Sequence, residues 1–237
     1  MAGLTAGIEA AEAVTGIRSA LIADMDRSYG AAAGTGLVEA LVALRATGAA
    51  ERVIGVGMDS TELGVDLTTF AGAFALAARH GLRRTGHAGE AVGTGPGNIA
   101  LALDVLGVER IDHGVAVMED HELVRRMAGD GVPITVCPNS NIVIANRFRS
   151  LAEHPFRAMR EARLLATLNT DDPGMTNLDL GVEYRTVAQA QGFTFDELAA
   201  VALDGIEASW LDESDRRTLR AGFEATLADI RPAAVGG

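Results

Sequence analysis

Leu164-Leu165-Ala166-Thr167-Leu168-Asn169-Thr170-Asp171-Asp172-Pro173 is a short apolar run that stops in amide, hydroxyl and carboxylate groups and then in a proline. Its periodicity and length read as a strand over Leu164 to Leu168 handing over to a polar loop. The same grammar recurs upstream. Val132 to Val136 leads into Cys137-Pro138-Asn139-Ser140-Asn141, Arg110-Ile111-Asp112-His113 into Gly114, and Arg84-Thr85-Gly86 into His87-Ala88-Gly89-Glu90. Further back, Arg52 to Met58 leads into Asp59-Ser60-Thr61-Glu62, and Ile17 to Ala23 into Asp24-Met25-Asp26-Arg27. Helical patterns separate these runs: Gly3 to Thr15, Gly36 to Ala46, Leu67 to His80, Asn98 to Leu106, Asp120 to Met127 and Pro155 to Arg163. Three more helices, Asp179 to Gln191, Thr194 to Trp210 and Glu213 to Ile230, close the chain, the second opening on a Thr194-x-x-Glu197 capping pattern.

Alternating strands and helices imply parallel strands joined by right-handed crossovers, hence an α/β fold. An open doubly wound sheet gathers its ligand groups at one switch point, whereas here five successive strands end in polar candidates, as when all strand ends face one barrel mouth. The expected architecture is a (β/α)8 TIM-type barrel, here strands 3 to 8 only, with extra C-terminal helices. One partial barrel domain is expected over residues 1–232 and a disordered tail over residues 233–237.

The 237 residues suffice for one large α/β domain. Apolar runs are interrupted well before the roughly 18 residues of a membrane span, and the N-terminus lacks a basic region ahead of an apolar core, so no membrane segment or secretory signal is expected. With one cysteine, Cys137, an internal disulfide is impossible and a thiolate metal cluster within the chain is excluded; the expected compartment is the cytoplasm. A net charge of −12 without a basic cluster argues against nucleic acid as partner and leaves a small uncharged molecule.

Read for chemistry, the four later motifs resemble the back half of a zinc hydrolase site. A hydrolytic zinc takes about three protein ligands and keeps one open position. The motifs offer His87 and Asp171, but the five histidines, at positions 80, 87, 113, 121 and 154, include no His-x-His pair. Plainer readings stand beside the chemical ones. His113 can be a core histidine, Glu90 a helix cap, Cys137 a small buried residue, and Gly93-Thr94-Gly95-Pro96-Gly97-Asn98 a turn rather than a phosphate cradle. His80, His121 and His154 read as surface residues.

The motifs, in this order and at these intervals, together with Gly57-Met58-Asp59-Ser60-Thr61-Glu62-Leu63-Gly64, resemble the adenosine deaminase family of the amidohydrolase superfamily, including its adenine deaminase branch. The resemblance runs from about Gly3 to the last helix. It implies a (β/α)8 barrel, one Zn2+ ion, and hydrolytic deamination at the purine 6-position, converting adenosine to inosine plus ammonia or adenine to hypoxanthine. Residue by residue, it implies His87 and Asp171 as metal ligands and Glu90 as the acid that protonates ring N1. His113 is implied as the group handling the proton of the attacking water, and Asp172 as the partner of purine N7. Ser60 and Gly89 are implied as substrate-binding positions, and Ser140 and Asn141 as lying near the site. Family members carry a His-x-His pair on an earlier strand. The expectation is therefore an N-terminally shortened deaminase with an incomplete ligand set, adenosine placed first as substrate and adenine second. The alternatives are a catalytically silent purine-binding homologue or subunit that pairs through its open barrel edge, and a hydrolase of another aminopurine completed by a second copy or partner chain.

Overall fold

The computed structural model describes residues 2–235. In chain order the elements are α1 (Ala2–Thr15), β1 (Leu21–Asp26), α2 (Gly30–Ala46), β2 (Val53–Asp59), α3 (Ala71–Arg79), β3 (Arg83–Ala88), α4 (Pro96–Leu101) and β4 (Arg110–His113). There follow α5 (His121–Asp130), β5 (Pro133–Val136), α6 (Pro138–Val143), α7 (Phe156–Glu161), β6 (Leu165–Leu168), α8 (Pro173–Thr176), α9 (Leu180–Gln191), α10 (Phe195–Glu207) and α11 (Glu213–Val235). The strand order is β1-β2-β3-β4-β5-β6. That sequential order with helices between strands is the α/β pattern read from the sequence. None of the described helices is long and apolar enough to cross a membrane.

The chain divides into two compact units, residues 1–88 with 97–110, and residues 89–96 with 111–237. In the first, β1 and β2 run parallel from Leu21↔Val53 to Asp26↔Asp59, and β2 pairs in parallel with β3 at Gly55↔Arg83 and Val56↔Arg84. The pairing explains a shift from the sequence reading. The strand expected over Ile17 to Ala23 begins at Leu21 and runs on through Asp24 and Asp26, because the ladder to β2, rather than local hydropathy, sets its length. Glu12 of α1 takes a two-pronged hydrogen bond from Arg52, at 2.7 and 2.8 Å, which fastens the helix to the approach of β2. Met25, Val56, Met58, Phe70 and Phe74 are buried in this unit's core.

In the second unit β5 pairs in parallel with β4 and with β6, the latter from Pro133↔Leu165 to Val136↔Leu168. Ile111, Ile134, Val136 and Ala166 are buried, as are Phe156 and Met159 of α7. The capping box expected at Thr194 and Glu197 is present at the start of α10. The closing helix continues to Val235, past the Ile230 expected from sequence and into the stretch read as a tail; Gly236 and Gly237 lie outside the described residues.

Gly114 ends β4 in the left-handed region, φ 61°, and a Cβ there would lie 2.8 Å from Ile134 Cγ2 and 3.0 Å from Ile111 Cγ2. Left-handed backbone costs an L-residue about 1–2 kcal/mol and overpacking about 1–3 kcal/mol. Gly114→Ala is accordingly expected to lower the unfolding free energy by about 2–4 kcal/mol, read from urea midpoints at unchanged slope. A change under about 1 kcal/mol would show that the strand end yields.

Candidate active site

Strand ends carry the chemistry. Of the six described non-glycine residues with positive φ, three are site positions read from the sequence: Ser60 (70°), His113 (62°) and Asp171 (59°). Such backbone is rare outside glycine, is best tolerated by Asp, Asn and His, and concentrates where a side chain must be aimed.

In the first unit His87 is the penultimate residue of β3, half-buried, and its carbonyl accepts a hydrogen bond from Arg27 Nη2 at 2.9 Å. Arg27 is only 1% exposed, and its Nε donates to the Asp59 carbonyl at 2.6 Å. One buried guanidinium thus ties the C-terminal ends of β2 and β3 together. Ser60, directly after β2, is exposed.

In the second unit the structure brings together residues from four separate motifs. Gly89 (φ 70°) is buried, and its carbonyl accepts from Ala116 N at 3.0 Å, which places Glu90 beside the end of β4. Glu90 Oε1 lies 3.2 Å from His113 Nδ1 and 3.1 Å from Asn141 Nδ2, and Asn141 Nδ2 is also 3.1 Å from His113 Nδ1. On its other side, His113 Nε2 is 3.9 Å from Asp171 Oδ2, which accepts from the Ser140 hydroxyl at 2.5 Å. His113 is 2% exposed, and Ser140 and Asn141 are fully buried. A buried imidazole therefore stands between two carboxylates, an arrangement suited to taking a proton at one nitrogen and passing one at the other. Asp172 lies exposed at the start of α8, where its carbonyl accepts from Met175 N and Thr176 N.

Carboxylates dominate the surroundings. Burial, followed by the charges of Asp171, Asp112, Glu183 and Glu90, pushes the Cys137 thiol well above its ordinary range, so Cys137 is a small buried residue rather than a thiolate nucleophile. Glu183 of α9 is fully buried and holds the first turn of α6, accepting from Asn139 N at 3.1 Å and Asn139 Nδ2 at 2.8 Å. Burial raises its pKa.

Two residues of this neighbourhood were not legible as such. His154, expected at the surface, is 4% exposed, and its Nε2 lies 3.1 Å from Asn141 Oδ1. Its loop is folded inward by Gln191, whose Nε2 donates to the carbonyls of Leu151 and His154 at 2.6 and 2.8 Å. Arg147 donates to the carbonyls of Glu90 (3.0 Å), Ala91 (2.6 Å) and Thr94 (3.4 Å) and pairs with Glu119 at 2.6 Å. The glycine-rich stretch after Glu90 is thus a turn held by its carbonyls rather than a phosphate cradle. Removing the clamp takes a charged donor away from three carbonyls of one part-buried turn and breaks the pair with Glu119. Arg147→Ala is expected to cost about 2–4 kcal/mol in urea unfolding, with Lys recovering only a minor part because a point ammonium cannot span three carbonyls. Equal stability of the Lys variant and the original would contradict this.

The chain matches the adenosine deaminase family over residues 1–226. It is similar to an adenine deaminase from Streptomyces coelicolor, 42% identical over 185 residues, covering 78% of this chain and 53% of the relative. It is also similar to an adenosine deaminase from Shewanella loihica, 36% identical over 219 residues, covering 92% and 62%. Among solved structures, an amidohydrolase from Burkholderia ambifaria with bound Zn matches at a TM-score of 0.89 and 27% identity, covering 100% of this chain and 64% of that one. The chain therefore spans between about half and two thirds of the length of the relatives it matches. The fold is that of the amidohydrolase barrels, as the order of strands and motifs led one to expect.

Proposed function

The chain belongs to the adenosine deaminase family, and from that premise we propose that it serves zinc-dependent hydrolytic deamination of a purine, adenosine first and adenine second. The observation that carries this reading is the Glu90–His113–Asp171 series, a carboxyl, an imidazole and a second carboxylate set side by side in the second unit. Deamination of this kind exchanges the 6-amino group for oxygen from water and releases ammonia, so it needs one group to protonate the ring and another to manage the proton of water.

Glu90, with 19% of its side chain exposed, can meet a substrate and deliver a proton to ring N1. His113 takes up the proton of the attacking water and, once charged, is stabilised by the carboxylate on either side. Asp172, exposed beside Asp171, hydrogen-bonds purine N7, and Ser60 and Gly89 bind the substrate through their backbones. His87 and Asp171 would hold the ion. The donor chemistry fits zinc, which takes imidazole nitrogen and carboxylate oxygen, and His87, His113 and Asp171 are described residues able to offer it. When bound, zinc supplies the Lewis acidity that makes water nucleophilic at neutral pH. His80 and His121 are exposed, and both ring nitrogens of His154 are engaged elsewhere, so none of these three adds to the ligand set.

That shortage of histidines favours one second reading: a catalytically silent purine-binding homologue or subunit that pairs with another chain through an open barrel edge. The test is product analysis after incubation with adenosine and with adenine in the presence of zinc. Ammonia and the 6-oxopurine appearing one for one support deamination. Purine binding without ammonia supports the silent reading, and turnover that disappears on dilution supports pairing of copies.

A further inference from the structure

We propose that His154 is a positioning residue for the proton-handling pair: its Nε2–H locks the Asn141 side-chain amide with Oδ1 turned away from, and Nδ2 turned toward, Glu90 and His113. The inference rests on the reading of Glu90 and His113 as that pair. An asparagine amide is nearly symmetrical in shape, and a half-turn exchanges its acceptor for its donors. With the half-turn made, Asn141 Oδ1 would face the Glu90 carboxyl, oxygen against oxygen, and the donor 3.1 Å from Glu90 Oε1 would be lost. Something must decide between the two orientations.

The backbone decides, through His154. Phe156 N–H donates to His154 Nδ1 at 3.2 Å, so that nitrogen carries no proton. A neutral imidazole with a bare Nδ1 has its hydrogen on Nε2, and a donor at Nε2 requires an acceptor opposite it. The group opposite is Asn141 at 3.1 Å, and the only acceptor an amide offers is Oδ1. Among the described residues no other donor reaches that oxygen. The chain of dependence therefore runs from the Phe156 peptide to the His154 tautomer, from there to the Asn141 amide, and on to Glu90 and His113. Burial agrees with a permanently neutral ring, pushing the His154 pKa down to about 3. The edge of the ring packs on Phe148, with centroids 4.8 Å apart and planes at 64°, which fixes its rotation as well.

The test uses the full chain with 15N-labelled histidine and two variants, His154→Gln, which keeps an amide donor for Asn141, and His154→Leu, which does not. The ring-nitrogen spectrum of the unmutated chain is expected to show His154 neutral with the proton on Nε2; a proton on Nδ1 would overturn the proposal. Side-chain amide protons of Asn141 are expected to exchange at least about tenfold faster in His154→Leu than in the unmutated chain or His154→Gln. In turnover of adenosine, His154→Leu is expected to lose about 10²-fold in kcat with KM within about threefold, His154→Gln recovering most of it. Indistinguishable Leu and Gln variants would also overturn it. If the unmutated chain turns over no purine, the deaminase reading fails, and the tautomer and amide exchange still decide this one. Should His154→Leu not fold, the tautomer decides alone.

Discussion

Glu90→Gln is expected to lower purine turnover by about 10³-fold while purine binding stays within about threefold. The substitution conserves size and leaves an oxygen able to accept from Asn141 Nδ2, which lies 3.1 Å from Glu90 Oε1. What it removes is a transferable proton, since a primary amide neither gives nor takes one near neutral pH. Glu90 is also the carboxyl beside His113 Nδ1, at 3.2 Å, so the variant further weakens stabilisation of the charged imidazole. Binding energy from purine contacts elsewhere is untouched, so the loss should fall on kcat rather than KM. Steady-state kinetics beside calorimetry with an unreactive purine separates the two. A Gln variant within about tenfold of the original in kcat would remove Glu90 from the chemistry.

The second large effect concerns stability below neutral pH. His154 is buried neutral, its pKa pushed down to about 3, whereas in the unfolded chain it titrates near 6.5. A base whose folded pKa is depressed contributes fully above the unfolded value and loses that contribution as pH falls toward the folded one, because the unfolded state binds the extra proton. The window is therefore pH 6.5 down to about 3, and the total is on the order of 4–5 kcal/mol. Glu183, raised by burial, works in the opposite sense: the folded state holds its proton more tightly, so its contribution grows as pH falls through that raised value. Urea midpoints are expected to drop steadily between pH 6.5 and 5, and His154→Gln, which has nothing to titrate, should flatten that decline. An equally steep decline in the Gln variant would assign it to other groups.

Much of this was legible because it is local. The run Leu164 to Leu168 followed by Asn169 and Asp171 announces a strand end within ten residues, and β6 covers Leu165–Leu168. The same holds for Ile111-Asp112-His113 and for the capping box of α10. Local reading failed where a partner distant in sequence decides the outcome. β1 runs through two aspartates because β2, about thirty residues on, pairs with them. α2 begins at Gly30, six residues ahead of the Gly36 suggested by leucine spacing, since alanine and glycine give periodicity little to register. His154 looked like a surface histidine because nothing beside it in sequence shows that Gln191 folds its loop inward or that Asn141 waits for its proton. Arg147 was missed for the same reason: its carbonyl partners lie more than fifty residues earlier. Motifs name candidate residues at strand ends; the side chains that hold those residues in place follow from the folded loops.

The most direct test of the central claim is the rate of ammonia release from adenosine and from adenine as zinc is added back to metal-stripped protein. The account predicts no release without metal, a rise that saturates at about one ion per chain, as a single catalytic zinc requires, and loss of both bound zinc and ammonia in His87→Ala and Asp171→Ala. Ammonia release that ignores added zinc, or zinc taken up equally well by both variants, would contradict it.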